Sequence, residues 1–451
     1  MKKALVLIIL ITSPISFLFA QEDIQVNAKL ETGGFLSSKE ELPFWLYSNQ
    51  YGRIDEETDL YALLDTSLDL EIYQEIRMEA AASFLYRKSE NDKFYPEELY
   101  VKGYGKWLEF IVGKKNDEIE YDGLSATNGH ILNSNNSRPF PGLQLNTVSP
   151  IYFDSDQHFG FEMSWAEFLL DDDREVEETR LHHKSLHFVY QPSGRLNFKL
   201  GIEHYAQWAG TSETDGKLPD GFDNYLRILY AGKAKGDAPE VEKLVALGNH
   251  LGSYQLEAKY EDDRLLFNIF LNTIFEDPKG STFKNFPDGY YGAFLKLKDE
   301  KYWVRSFLYE FYYTRDQSRD ADPFNSSDYF NNPIYTSGWA YHDRVIGAPF
   351  FDYDKDANKV TGNKFVAHHV GFKGDFLSYG DRFPFRLMGS LIRKEGTYDR
   401  KYFPNKNEYY LNYEIGMLTD IVDIQLLVST EFSSVSEPIY GGALKLSRTI
   451  F

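Results

Sequence analysis

One long polar stretch, residues 121–141, carries side chains that could hold a hydroxyl-rich ligand. It has too many Asn, Ser, Gly and Pro residues to form a helix or a strand. A connection of this length is usually functional or disordered, and its low charge argues against a solvated disordered tail. Its hydrogen-bonding side chains are Asn128, Asn133, Asn135, Asn136 and Arg138. These groups can bond to a neutral ligand, or they can bond within the loop and cap its turns.

Three further loops place aromatic rings beside polar side chains. This combination suits carbohydrate, because ring faces stack on sugar rings while amides, carboxylates and Arg bond to hydroxyl groups. The residues are Phe44, Trp45, Tyr47, Asn49, Tyr51 and Arg53 in the first loop, Trp208, Tyr225 and Arg227 in the second, and Trp339, Tyr341, His342 and Arg344 in the third. The alternative is that these rings anchor the chain at a membrane interface or pack the loops together.

We therefore predict a glycan-binding site built from both kinds of loop. Its candidate residues are Trp45, Tyr47, Asn49, Tyr51, Arg53, Asn128, Asn133, Asn135, Asn136, Arg138, Trp208 and Trp339.

Two acidic segments have some features of a cation site. Residues 352–358 have the spacing of a calcium loop over its first half, but Ala357 replaces the usual Gly. Asn363 also stands where a bidentate Glu is expected, so a solvated acidic loop is the favoured interpretation and calcium stays open. Residues 171–178 could hold divalent ions beside lipopolysaccharide, or form a charged loop only. We predict no metal site and no cofactor.

The sequence contains no catalytic motif that we can identify. A Gly-x-Ser-x-Gly elbow, a His-Glu-x-x-His motif and a phosphate loop are all missing. His182, His183 and His187 lack a spacing that would put all three on one strand face. We predict a protein that is not an enzyme, although a barrel esterase or deacylase, whose triad assembles across strands, remains an alternative.

The first twenty residues read as a cleaved secretory signal. Lys2 and Lys3 precede an apolar run, and Ala20 ends a plausible cleavage site. No later segment is apolar over the length that a membrane helix needs. The net charge of −21 argues against nucleic acid as a partner. Because the exported chain has no cysteine, its stability must come from a large core or a closed sheet.

Apolar and polar residues alternate with period two along most of the chain, which indicates β-strands. Residues 64–72 show it best, with Leu64, Leu68 and Leu70 on one face and Asp65 and Asp69 on the other. The same alternation recurs in residues 77–87, 196–203, 253–260 and 422–432. Residues 239–247 are the only good helix candidate after the signal.

Eight tight turns and nine longer loops divide the chain into about eighteen strands. The longer loops lie near residues 36–58, 88–96, 115–147, 170–180, 208–248, 276–287, 314–363, 395–404 and 433–439. Alternating short and long connections are typical of an all-β transmembrane antiparallel barrel with short periplasmic turns and long extracellular loops. We predict a signal peptide over residues 1–20 and one outer-membrane β-barrel domain over residues 21–451.

Periodicity alone does not tell which strand face is inside. A soluble sandwich, propeller or lipocalin-like barrel is therefore the alternative fold. The signal, the alternating connections and the aromatic residues near strand ends favour the membrane. Those aromatic residues are Trp107, Tyr190, Trp208, Tyr290, Tyr291, Trp303 and Tyr312.

Two stretches resemble the capsule assembly protein Wzi family. PFWLYSNQYGR at residues 43–53 is similar to that family's PFWL-x-x-N-x-Y-G segment. Within residues 121–141, the matching positions are Leu124, Ser125, Asn133, Ser134, Asn136, Ser137, Arg138, Pro139 and Pro141. The chain departs from the family pattern at Asn128-Gly129, where Gly-Asn is usual, and at Ser137, where Ala is usual.

The resemblance implies a non-catalytic barrel in the outer membrane of a Gram-negative bacterium. It implies binding of capsular or extracellular polysaccharide and support of capsule or exopolysaccharide assembly. The expected surroundings are outer-membrane lipid and lipopolysaccharide, with the protein as a monomer. The alternative function is a porin or glycan-uptake channel. The loops discriminate between the two, because a plugged lumen favours the first and an open lumen the second.

Overall fold

Eighteen antiparallel strands close into a barrel, as the sequence predicts. The computed structural model describes residues 24–73, 75–90, 92–236, 238–276, 280–318, 327–378 and 381–450. The expected signal peptide and the turn residues Gln74, Tyr379 and Gly380 lie outside these ranges. The strands are β1 Ile24–Ser37, β2 Leu60–Tyr73, β3 Ile76–Lys88, β4 Lys93–Tyr104, β5 Leu108–Lys114, β6 Pro141–Thr147, β7 Phe159–Leu169, β8 Arg180–Ser193, β9 Leu196–Trp208, β10 Asn249–Glu261, β11 Leu265–Thr273, β12 Gly289–Leu297, β13 Val304–Tyr313, β14 Lys364–Ser378, β15 Asp381–Gly396, β16 Lys401–Met417, β17 Asp423–Ser433 and β18 Ile439–Thr449.

The barrel closes through its first and last strands. Lys29 of β1 lies opposite Thr449 of β18, and the antiparallel pairing continues to Ser37 opposite Gly441. A further short strand, Ile151–Tyr152, joins the sheet beside β7. Closure leaves no unpaired strand edge in the wall, which a bilayer requires.

The connections follow the predicted alternation of turns and loops. The loops after β3 and β15 are shorter than predicted, because these strands and their partners continue as hairpins to residues 88, 93, 396 and 401. Both termini of the barrel lie on the short-turn side, since β1 leads into a long loop and β18 follows one.

The apolar strand faces point outward, which decides between a membrane barrel and a soluble β-fold. In β9, Leu200 is 62% exposed, whereas Glu203 on the opposite face is 5% exposed. β18 follows the same rule, with Leu444 outward and the Lys445 ammonium 5.9 Å from the inward ring of Tyr61. An apolar outer band with a polar interior is the arrangement of a membrane barrel, so the soluble alternatives are wrong. Among the described helices, none has the length and apolar composition for a membrane span.

The aromatic residues at the strand ends divide between the two faces. Trp107, Tyr190 and Trp303 are exposed on the outside, as an interfacial belt requires. Tyr290 and Tyr312 are buried in the lumen instead, with ring centroids 4.8 Å apart, so their predicted place in the belt is wrong. Alternation explains the difference, because the residues next to a lipid-facing position point into the barrel.

The main hydrophobic core lies inside the barrel and is built largely from loops. We call residues 38–59, 115–140 and 327–363 the plug. Its segments are joined by backbone bonds, such as Ser134 N–H to Ile346 O at 2.9 Å and Ala348 N–H to Ile131 O at 3.0 Å. The Trp339 indole donates to Leu132 O at 2.7 Å. Buried loop side chains then pack against inward residues of the wall.

The plug crosses the lumen to the periplasmic half of the barrel. The Asp122 carboxylate accepts from Lys296 Nζ at 2.7 Å and from Ser306 Oγ at 2.5 Å. Gly123 O accepts from Arg386 Nη1 at 2.7 Å, and Asp122 O accepts from Lys373 Nζ at 3.1 Å. These wall residues lie near the turn ends of β12 to β15. The plug is therefore anchored far below the extracellular rim.

Among the described residues, three α-helices interrupt the loops: α1 Phe44–Tyr47, α2 Phe222–Leu229 and α3 Glu240–Leu244. α3 confirms the predicted helix, but residues 239–247 are not the only helical segment. α2 packs against the outer wall, where Trp165 Nε1 donates to Tyr225 Oη at 3.0 Å and Ile228 is buried. The loop between β9 and β10 therefore folds back over the outside of the barrel.

Candidate functional site

The predicted asparagines make hydrogen bonds within the plug, and three of them join its segments. Asn128 has a left-handed backbone (φ 54°), and its amide bridges Glu118 O and Glu120 N–H, both at 2.7 Å. Asn49 N–H donates to Asn136 Oδ1 at 3.3 Å, and Asn49 Nδ2 donates to Ser125 O at 3.1 Å. Asn136 Nδ2 in turn donates to Val345 O at 2.9 Å. These amides connect the plug segments to one another.

The three predicted tryptophans are buried. Trp45 is 2% exposed, and its ring lies 5.3 Å from His369 and 6.3 Å from Phe350. Trp339 lies at the centre of the plug, with its ring 5.5 Å from Tyr205. Trp208 lies on the outer wall beneath α2, with the Arg180 guanidinium 5.2 Å from its ring. In this conformation their ring faces are covered and pack the protein.

Four of the predicted glycan-binding residues lie around a small cleft of about 40 Å³. We call it the asparagine cleft; the four residues are Tyr51, Asn133, Asn135 and Arg138. Tyr51 N–H donates to Asn135 O at 2.6 Å, and Asn135 Nδ2 donates to Tyr51 Oη at 3.3 Å. Asn133 Nδ2 reaches the Asp117 carboxylate at 3.2 Å. Residues distant in sequence thus form one polar surface.

Tyr47, Arg53 and Arg138 are held against neighbouring side chains. The Arg138 guanidinium lies 3.8 Å from the centre of the Tyr95 ring, and that of Arg344 lies 4.7 Å from the Tyr47 ring. Arg53 bonds to the Glu97 carboxylate at 2.9 Å. The Arg138 contact is a cation–π contact, which leaves guanidinium N–H groups able to bond to a ligand.

A larger groove, which the sequence did not indicate, lies between two extracellular loops. Its volume is about 460 Å³. We call it the outer groove; its polar lining is Asp328, Asn331, Asn332, Thr336, Lys359, Thr361, Thr397, Asp399 and Arg400. Asp328 accepts from Asn363 Nδ2 at 2.5 Å, and burial raises the pKa of this carboxyl group. The paired amides at residues 331–332 were the available signal, but nothing in the sequence places them beside residues 397–400.

The suspected calcium loop is a hairpin with its carboxylates engaged elsewhere. Asp352–Asp354 pairs with Lys359–Gly362. Asp352 bonds to Lys394 at 2.6 Å and to Tyr402 at 2.8 Å, while Asp354 accepts from the backbone N–H of Ala357. Within the described ranges, no three His, Asp or Glu side chains converge as a metal-binding set.

The acidic loop at residues 171–178 is likewise paired with cations. Asp171 bonds to Lys114 at 3.1 Å, and Arg174 bonds to Asp172 at 2.7 Å. Burial opposes ionisation of Asp171, but Tyr341 and Lys114 outweigh it and lower the pKa of this carboxyl group. His182 points outward to Glu167, while His183 lies in the lumen beside Glu203, as strand alternation requires.

Several solved structures resemble the whole barrel. The first is Wzi from Escherichia coli, described as an outer membrane protein involved in group 1 capsule assembly and a carbohydrate-binding β-barrel. It matches with a TM-score of 0.60 and 12% identity, over 97% of this chain and 86% of that chain. The second is OccK3 (OpdO) from Pseudomonas aeruginosa, with a TM-score of 0.50 and 11% identity, over 95% of this chain and 96% of that chain. At these identities, both likenesses show the fold alone.

The sequence itself also matches a family. No curated protein matches the chain. The family model described as capsule assembly protein Wzi matches residues 46–363, which is more than half of the 451 residues. This range includes most of the plug and strands β12 and β13, which bond to the Asp122 carboxylate. The chain therefore belongs to the capsule assembly protein Wzi family.

Proposed function

We propose that this barrel binds surface polysaccharide on its extracellular side and supports capsule or exopolysaccharide assembly. The observation that carries the proposal is the plug, since its loops fill the lumen and are bonded to the wall near the periplasmic turns. A channel for large solutes needs an open lumen. Loops held in this way instead provide a rigid polar surface, which suits binding of a long, hydroxyl-rich ligand.

The outer groove and the asparagine cleft are the surfaces that we propose for the polysaccharide. The outer groove combines amides and hydroxyl groups with Lys359, Asp399 and Arg400. Such groups bond to sugar hydroxyls and to acidic sugar substituents. The asparagine cleft supplies Asn133 and Arg138 in the same manner. Trp45 and Trp339 are proposed to support these surfaces, since their rings do not reach solvent.

A porin or uptake channel is the second candidate function. The polar inward side chains of the wall, such as Lys199 and Glu257, would suit solute passage. The plug argues against it. We propose no catalytic role, because the histidine and carboxylate pairs are engaged in wall or loop contacts, as His182 is with Glu167.

We further propose that the β9–β10 loop contacts the outer leaflet of the membrane. On this loop Phe222, Tyr230 and Leu244 are exposed, and they extend the apolar outer band of β9. Apolar helix faces beside a lipid-facing wall enter the interfacial region of a bilayer. The wall closes within one chain and needs no strand from a second copy. We propose a monomer that is exported by its signal peptide and resides among lipopolysaccharide.

The test compares polysaccharide retention in cells that express variant barrels. Arg400→Ala and Lys359→Ala, made together, remove two cations from the outer groove. We expect more polysaccharide in the medium and less on the cells. The matched control is Arg382→Ala with Lys301→Ala, which removes two cations from periplasmic turns. If both variants fold and retain the same amount of polysaccharide, the outer groove is not the binding surface.

A further inference from the structure

A second large cavity lies on the opposite side of the plug. Its volume is about 660 Å³, within the range of roughly 300–1,000 Å³ typical of ligand pockets. It is bounded by the turn residues Gly194, Arg195 and Glu261, so it opens toward the periplasm. We call it the periplasmic vestibule. The outer groove and the asparagine cleft share no lining residue with it.

The roof of the periplasmic vestibule is an aromatic surface supplied by the plug. The Tyr121 ring lies 4.7 Å from the Phe270 ring and 5.4 Å from the Phe294 ring. Gly129 has φ 91°, and a Cβ at this position would lie 2.7 Å from Tyr121 Cε2. Glycine is therefore required for Tyr121 to occupy this place. Because the Phe270 and Phe294 rings are buried, Tyr121 is the ring of this roof that offers a stacking face to a sugar.

The walls of the periplasmic vestibule carry carboxamide oxygens without a hydrogen-bond donor. Asn197, Asn268 and Asn272 each have a buried Oδ1 with no partner among the described residues. Asn268 and Asn272 are only 5% exposed, and both line the cavity. Buried acceptors in proteins are normally satisfied, and a rotation of each carboxamide toward the cavity would bring its oxygen to a donor there. Hydroxyl groups of a ligand, or water in its absence, meet that need.

The charges in the periplasmic vestibule are largely neutralised in pairs. Lys199 bonds to Glu162 at 2.8 Å, and Lys259 bonds to Glu261 at 2.9 Å. Glu257 accepts from Asn268 Nδ2 at 3.2 Å and adds a negative charge, while Arg195 and Glu120 add one charge of each sign. A phosphate or sulfate group would meet no unpaired cluster of cations here. The lining thus favours an uncharged ligand that donates hydrogen bonds and stacks on an aromatic ring.

We propose that the periplasmic vestibule binds a short neutral oligosaccharide from the periplasmic side. The protein would then contact saccharide on both sides of the plug, at two sites that do not share residues. The chemical class follows from the aromatic roof, the three free amide oxygens and the paired charges. The proposal stands apart from the extracellular site, because either site can be removed without altering the lining of the other.

The test is saccharide binding to the purified barrel in detergent micelles. The chain has no cysteine, so Gly194→Cys provides one site for a fluorophore at the mouth of the cavity. A Cβ at Gly194 meets no atom within 4 Å. The probes are neutral di-, tri- and tetrasaccharides of glucose, galactose and mannose. We expect saturable binding of at least one probe, with no competition from glucose 6-phosphate.

Asn268→Leu and Asn272→Leu should each weaken this binding about tenfold, as expected for a lost hydrogen bond of roughly 1.4 kcal/mol. Asn412→Leu is the matched control, because Asn412 also has an unpartnered buried Oδ1 but lies outside the cavity. Heat-modifiable migration verifies folding, and Asn197→Leu replaces any variant that does not fold. Absence of saturable binding, or equal weakening by Asn412→Leu, would overturn the proposal. The Arg400→Ala variant should still bind the probes, which separates this outcome from failure of the extracellular site.

Discussion

The Asp122 anchor provides a direct test of whether the plug closes the barrel. Asp122→Asn removes the charge that faces Lys296 at 2.7 Å and weakens the bond from Ser306 at 2.5 Å. The wall strands themselves remain intact, since their backbone pairing does not involve Asp122. The substitution should therefore loosen the plug without unfolding the barrel.

The size of the effect follows from the exposure of the partners. The Lys296 side chain is 44% exposed, so solvent screening reduces its ion pair to about 1 kcal/mol. The bond from Ser306 loses roughly another 1.5 kcal/mol when a neutral amide replaces its charged acceptor. Their sum of about 2.5 kcal/mol corresponds to roughly a 60-fold increase in the open population of the plug.

Single-channel recording in planar bilayers measures that population. Asp122→Asn should open far more often than the unmodified protein. The control is Asp299→Asn, the same substitution at an ion pair with Lys301 at 2.6 Å in the turn between β12 and β13. Equal opening frequencies in Asp122→Asn and the unmodified protein would refute the view that this anchor holds the plug.

The same anchor predicts a pH dependence. Burial opposes ionisation of Asp122, but Lys296 and Ser306 outweigh it and lower the pKa of this carboxyl group below 3.8. A lowered pKa in the folded state contributes stability above the unfolded value, and that stability is lost as pH falls through the folded value. Opening of the unmodified barrel should therefore increase below about pH 3.8, and Asp122→Asn should lack this increase.

Three further predictions concern topology, binding and a buried loop carboxyl group. Protease added to intact cells should cut the loop at residues 209–248 before residues 314–363, most of which belong to the buried plug, and spare the turn at residues 192–194; the reverse pattern would invert the topology. Arg138→Ala should release polysaccharide while the heat-modifiable band persists, because one loop side chain contributes little to the hydrogen-bonded wall; unchanged retention would remove Arg138 from the site. Burial raises the pKa of Asp288 to about 6, so ionising this carboxyl group in the folded protein costs stability as pH rises. The loop after β13, whose Asp316 and Gln317 N–H groups bond to Asp288, should therefore be more stable at pH 5 than at pH 7. The measurement is amide hydrogen exchange in this loop, corrected for the intrinsic exchange rate at each pH. Exchange should be slower at pH 5 than at pH 7, and Asp288→Asn should abolish the difference.

The sequence by itself determined the wall of this protein. Period-two alternation placed the strands, and the alternation of turns and loops gave their number and the side of the termini. These features are local, because the residues of each strand alone show its two faces and the residues of each turn alone mark its position. The motifs at residues 43–53 and 121–141 also carried the family resemblance that the match over residues 46–363 confirms.

Only the tertiary structure decided what the loops do. Tryptophan is typical of sugar-stacking sites, yet Trp45 and Trp339 are both buried. The apolar ring that can stack on a sugar can equally pack the interior of a plug. The outer groove and the periplasmic vestibule combine residues that lie far apart in sequence. Such surfaces depend on how long loops dock into the lumen. That docking depends on nonlocal contacts, such as those of Asp122 with Lys296 and Ser306, which leave no periodic signal in the sequence.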